Sequence, residues 1–160
     1  MRKTVLGFVA SFFLLFSGIS CIKDTGCKNK TVDSERATIQ SYAATNGIVG
    51  TEHSSGIYYQ VMSPGSGPTP TTSSKIFVTY TGKLLDGTVF DSGTTPTTGT
   101  NPGWLLGGLI QGWQIGIPLI QKGGHIQLII PSSLAYGCQG FGSVPGNAIL
   151  YFDIALTDVQ

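Results

Sequence analysis

The chain has 160 residues, enough for one domain of ordinary size with accessory segments. Its formal charge is +1, only 11% of residues are charged and no Lys/Arg cluster stands out, which excludes the basic footprint expected of a nucleic-acid binder. The 23 glycines favour strands joined by turns over long helices.

Arg2 and Lys3 open the chain, followed by an apolar run of 12 residues at 5–16. That run is shorter than the about 20 residues a membrane span needs and fits a signal peptide over residues 1–20. Small residues then lead into Cys21 in the stretch SGISC. The stretch is similar to a bacterial lipobox, although Gly18 stands where leucine is usual, and it makes Cys21 the expected lipidation site and first mature residue. Residues 21–33 are polar and without periodicity, and read as a flexible tether. Residues 34–55 read as a short helix and linker. Ser34 is the expected cap, Ala37, Ile39, Tyr42 and Ala43 the apolar positions, and Asn46-Gly47 the stop.

Residues 56–160 read as the main domain. GIYYQVMSPGSG alternates and breaks at Pro64-Gly65. KIFVTYTGKLL is a strand with Ile76, Val78 and Tyr80 on one face, ended by the Asp86-Gly87 turn, and TVFDS resumes beyond it. LIQGWQIGIPLIQKGG carries Ile110, Trp113, Ile117 and Ile120 at helical spacing, with Pro118 predicting a short or kinked helix. HIQLIIP and AILYFDIALTDV are strands around a long loop. The expected class is α+β, an antiparallel half-barrel sheet curled over one short α-helix.

His53 and His125 are isolated, and no Cys or His spacing suits a metal. With Cys21 lipidated, Cys27 and Cys138 remain, either paired or as two free thiols. Residues 80–93, YTGKLLDGTVFDSG, hold two aspartates among aromatics and glycines with no nucleophile–base arrangement. What a carboxylate between apolar rings does there depends on what the rest of the chain supplies.

Four pieces taken in order, VTYTGKLLDGTVFDSG, LIQGWQIGI, IPSSLAYG and VPGNAILYFDIALTDV, together resemble the FKBP-type peptidyl-prolyl cis–trans isomerases. The likeness covers about residues 75–159. It implies an apolar pocket between sheet and helix, no cofactor, and the isomerisation of X–Pro bonds in exported, proline-containing polypeptides. It also implies rapamycin-like macrolides as ligands. Together with the lipobox-like stretch, the expectation is a monomer held at the membrane of the bacterial envelope by its lipid.

Position by position, the resemblance gives Asp91, Tyr136, Tyr80, Trp113 and Phe152 catalytic places and Phe90, Leu109 and Ile110 substrate-binding ones. Trp104 stands roughly where the family has a wall phenylalanine, and Phe141 and Val144 are further candidates for substrate contact. Trp113 is the expected floor, with the Ile110 N–H and the Tyr136 hydroxyl holding substrate carbonyls. Asp91 either orients Tyr80 or meets the rotating carbonyl. The first reading is favoured, because a carboxylate facing a carbonyl oxygen is repulsive. Each aromatic also has a plain reading as core, Asp91 as a cap and Tyr136 as a brace for its loop. The chain departs from the family in the loop after Thr94, which lacks an arginine many members place near the aspartate, and at Gln111. The rival functions are a non-catalytic FKBP-like module that binds clients or partners, and a structural β-sandwich lipoprotein.

Overall fold

The computed structural model describes residues 26–98 and 102–160. The expected signal peptide and Cys21 lie outside the described residues. The elements are α1 (Val32–Thr45), β1 (Thr51–Glu52), β2 (Tyr58–Ser63), β3 (Lys75–Leu84), β4 (Val89–Thr94), β5 (Trp104–Leu105), α2 (Gln111–Gly116), β6 (His125–Ile130) and β7 (Leu150–Val159). Short 3-10 turns follow β5, α2 and β6. One open antiparallel sheet runs in the order β1-β2-β6-β7-β3-β4, with β5 added to β3.

Period-two alternation sends side chains to two different layers. Ile126, Leu128 and Ile130 of β6, Leu150, Phe152 and Ile154 of β7, and Ile76, Val78 and Tyr80 of β3 form the concave face. They close over Trp113 and Ile117. Ile129, Ile149 and Tyr151 point the other way and pack with Ile39 and Ala43 of α1. Each such side chain removed from water contributes about 1.5–3 kcal/mol, so both helices are held by burial on opposite sides of the same strands.

Helix α2 is short for the reason its sequence suggests. Pro118 stands in the 3-10 turn Ile117–Leu119, and the α-helix ends at Gly116. Its two glycines face β6. A Cβ at Gly116 would come within 2.6 Å of Leu128, and one at Gly112 would overlap Ile130, so bare backbone lets the helix sit close on the sheet.

The N-terminal segment differs from the sequence expectation in three ways. The helix starts at Val32 rather than Ser34 and is capped by Thr31, whose Oγ1 accepts the Ser34 N–H at 3.2 Å. Its buried stripe is Glu35, Ile39 and Ala43, while Ala37 faces solvent. A spacing of four residues explains the stripe. Ala37 lies two residues from both Glu35 and Ile39, off that face.

The third difference concerns the tether. Cys27 and Cys138, left open as thiols or a pair, form a disulfide with Cα atoms 5.6 Å apart. Asn29 Oδ1 accepts the Cys138 N–H at 2.7 Å, Lys30 N–H donates to Asn147 Oδ1 at 3.1 Å, and Asn147 Nδ2 donates to the Lys28 carbonyl at 3.1 Å. From Cys27 onward the expected flexible tether therefore lies fixed against the loop after β6.

Candidate functional site

A cavity of about 460 Å³ opens between the concave face, β5, α2 and the loop after β6. Strand β3 delivers Tyr80, β4 Asp91, β5 Trp104 and Leu105, the approach to α2 Leu109 and Ile110, the helix Trp113, the loop Tyr136 and β7 Phe152. All the expected catalytic residues thus meet at one place, although 72 positions separate Tyr80 from Phe152 in the chain.

The aromatic rings are packed edge to face. Trp113 is 4% exposed, and its ring centroid lies 5.2 Å from those of both Tyr80 and Phe152, near perpendicular to each. Trp104 adds an edge contact to Tyr80 at 5.7 Å. Perpendicular pairs set the positive edge of one ring against the negative face of another, which favours this geometry over parallel stacking. The result is a wall of interlocked rings that gives a ligand an apolar surface with little freedom to collapse.

Polar groups are few and placed. The Tyr80 hydroxyl donates to Asp91 Oδ2 at 2.7 Å. Burial, and then the Asp91 hydrogen bond, raise the Tyr80 hydroxyl above its usual pKa. Burial, and then the Asp91 charge, do the same for Tyr136. Both shifts disfavour the phenolate, so at neutral pH each phenol is a protonated donor. Among the described residues no group accepts from the Ile110 N–H, which stands at the N-cap of α2 where helix geometry leaves amides without an intrahelical partner.

Three expected contact residues stand elsewhere. Phe90 is behind the wall, its ring edge-on to Phe152 at 5.5 Å. A Cβ on Gly82 would come within 2.7 Å of Phe90 and 2.8 Å of Phe152, so only glycine leaves room for that crossing. Val144 is 5% exposed and belongs to the core, drawn inward by its paired backbone bonds with Phe141. Phe141 does not line the cavity. It is 69% exposed and stacks on Tyr136 at 5.3 Å, at the rim.

Sequence reasoning missed Leu105, 53% exposed on the cavity wall, because two residues after a loop carry no readable alternation. It also missed Gln114, whose Nε2 donates to the carbonyls of Leu109 at 2.7 Å and Gly107 at 3.2 Å and so braces the turn that presents Ile110. A polar residue on a helix beside an apolar face was the one available signal.

The family described as FKBP-type peptidyl-prolyl cis-trans isomerase matches residues 67–157. FKBP-type peptidyl-prolyl cis-trans isomerase FkpA of Escherichia coli strain K12 is 38% identical over 140 residues, covering 79% of this chain and 51% of that protein. A probable FKBP-type isomerase of Haemophilus influenzae is 42% identical over 107 residues, covering 66% of this chain and 44% of its own length. The chain spans about half the length of these relatives. Among solved structures, Escherichia coli FkpA superposes with a TM-score of 0.66 at 33% identity, covering 81% of this chain and 61% of that one. The peptidyl-prolyl isomerase of Pseudomonas syringae superposes at 0.64 and 28% identity, covering 83% and 98%. With the motifs in register, the rings gathered into one cavity and the family match across most of the sheet, the chain belongs to the FKBP-type peptidyl-prolyl cis-trans isomerases.

Proposed function

We propose that this protein accelerates cis–trans rotation of X–Pro bonds in polypeptides, without covalent catalysis. Rotation costs about 18–20 kcal/mol because it breaks amide resonance. The twisted amide is less dipolar than the planar one, so an apolar site that excludes water favours the twisted form relative to solution. The observation that carries this reading is the ring-walled cavity of Tyr80, Trp104, Trp113 and Phe152, with no Ser, Thr, Cys, Lys or His among its described lining residues.

Roles follow from position. Trp113 is the floor under the proline ring, and the Ile110 N–H and Tyr136 hydroxyl hold substrate carbonyls in the bent geometry. Asp91 orients Tyr80, a role supported by the 2.7 Å bond between them. Leu109 and Leu105 complete the wall, Phe141 meets substrate at the rim, and a rapamycin-like macrolide competes for the same cavity. The test is isomerisation of a short apolar X–Pro peptide by the full chain in detergent. Acceleration that a macrolide suppresses is expected. A folded chain that leaves the peptide at its uncatalysed rate overturns the reading and leaves a binding module on this fold.

We further propose that the protein is exported and anchored by lipid on Cys21. Among the described residues no helix is long and apolar enough to cross a membrane. The Cys27–Cys138 disulfide supports export, because such bonds persist in oxidising compartments. Fatty-acid labelling in a bacterial host is expected to mark the wild type and not Cys21→Ser. Equal labelling of both removes the anchor.

A further inference from the structure

Tyr136 has no secondary structure of its own to fix it. It sits between the 3-10 turns Ser132–Leu134 and Gly137–Gln139, in a loop where short turns with poor hydrogen-bond geometry do little to set a side chain. Besides the Cys27–Cys138 disulfide, two hydrogen bonds from the distant N-terminal segment grip this loop on either side of it. Four residues before Tyr136, the Ser132 N–H donates to Glu35 Oε2 of α1 at 2.8 Å. Two residues after it, the Cys138 N–H donates to Asn29 Oδ1 at 2.7 Å. The turn that opens at Ser132 has no side-chain cap of its own, so Glu35 acts as its cap across 97 positions of sequence.

Glu35 is an unusual occupant of its site. It is 2% exposed, on the face of α1 that packs with Ile39 and Ala43 against the sheet. A carboxylate is costly to bury unless it is hydrogen-bonded, and an apolar residue would serve helix packing better. What the carboxylate adds is an acceptor at the start of the Tyr136 loop. The segment 26–45 lies outside the residues 67–157 matched to the family model, so the grip reaches the loop from beyond that matched region.

We propose that Glu35 and Asn29 are positioning residues for the isomerase, holding the Tyr136 hydroxyl at the cavity edge from beyond the matched region. The catalytic half of this inference rests on the isomerase reading, and the structural half does not. Losing an acceptor from a buried amide costs about a tenfold factor or more in the local equilibrium.

The test uses the full chain in detergent with Glu35→Leu, Glu35→Gln and Asn29→Ala. Glutamine keeps the size and an acceptor oxygen, and leucine keeps only the packing. Hydrogen exchange at the Leu134, Ala135 and Val144 amides is expected to rise about tenfold in Glu35→Leu, to rise in Asn29→Ala, and to stay near wild type in Glu35→Gln, with β3 and β7 unchanged. Over the same series kcat/KM is expected to fall about five- to tenfold in Glu35→Leu and to recover in Glu35→Gln. In a Tyr136→Phe background the Glu35→Leu loss is expected to vanish, which a merely structural role would not produce.

Unchanged loop exchange overturns the grip, whatever the activity. Faster exchange with a loss that persists in Tyr136→Phe overturns the action through Tyr136. A wild type without isomerase activity overturns the isomerase reading and the catalytic half with it, while the exchange data still decide the grip.

Discussion

Replacing Trp113 by leucine is expected to lower kcat/KM on the order of tenfold to a hundredfold while the protein stays folded. Trp113 touches Tyr80, Trp104 and Phe152 at once, so its loss both lowers the cavity floor and frees the walls to shift. Its indole Nε1 has no hydrogen-bond partner among the described residues, so leucine orphans no acceptor and the cost is packing alone. Full truncation of a buried tryptophan costs about 3–5 kcal/mol, and leucine, refilling part of the space, costs less. That is inside the about 5–15 kcal/mol stability of an ordinary domain.

The control is Ile120→Ala, a buried core change that does not line the cavity and costs about 2–5 kcal/mol. It is expected to lower the thermal midpoint at least as much as Trp113→Leu and to leave kcat/KM within about twofold at temperatures where it is folded. Equal losses of activity in the two variants would mean that Trp113 acts only as core. An unaffected Trp113→Leu would move the reaction away from this cavity.

The legibility of this molecule in its sequence divides along the range of its interactions. Ile76, Val78 and Tyr80 share a face because alternation along one strand is local, and Trp113 with Ile117 follows from one helical stripe. The motif around these residues therefore names five candidates that the fold brings to one cavity. Phe90 is misplaced because the β3–β4 register shifts between Gly82 and Lys83, and no turn residue marks that bulge. Val144 and Phe141 part company over a two-residue gap in a loop, where alternation is too short to read.

The N-terminal segment fails for a different reason. Glu35 is not among the expected apolar positions of the helix and Asn29 falls in the expected tether, since their partners Ser132 and Cys138 lie about a hundred residues away. Charge at helical spacing normally means an exposed face. Only the packing of α1 on the outer layer of Ile129, Ile149 and Tyr151 turns that face inward. The disulfide was equally unreadable. With three cysteines and none in a framework, spacing does not select a pair.

That disulfide should be the largest single contributor to stability among the contacts of the N-terminal segment. Cys27 and Cys138 are 111 positions apart, so the bond closes a loop containing both helices and every strand except β7. Closing a loop of about 100 residues restricts the unfolded chain by up to about 4–5 kcal/mol on the entropic account, and native disulfides removed from small domains cost about 2–5. At about 2–4 °C per kcal/mol for a chain of this size, the double variant Cys27→Ala/Cys138→Ala is expected to melt about 5–15 °C below wild type. Dithiothreitol is expected to bring wild type to the same midpoint and leave the double variant where it is. A reductant-insensitive wild type would show that the thiols are not paired.

The same variant separates two jobs that the segment performs. The bond acts mainly on the unfolded ensemble, whereas the acceptors on Glu35 and Asn29 act on the folded loop. Without the disulfide, those hydrogen bonds and the packing of α1 remain. Well below its melting point the double variant is therefore expected to keep kcat/KM within about threefold of wild type, in contrast to Glu35→Leu. A large loss of activity in the folded double variant would mean that the covalent link, and not the buried carboxylate, holds Tyr136 in place.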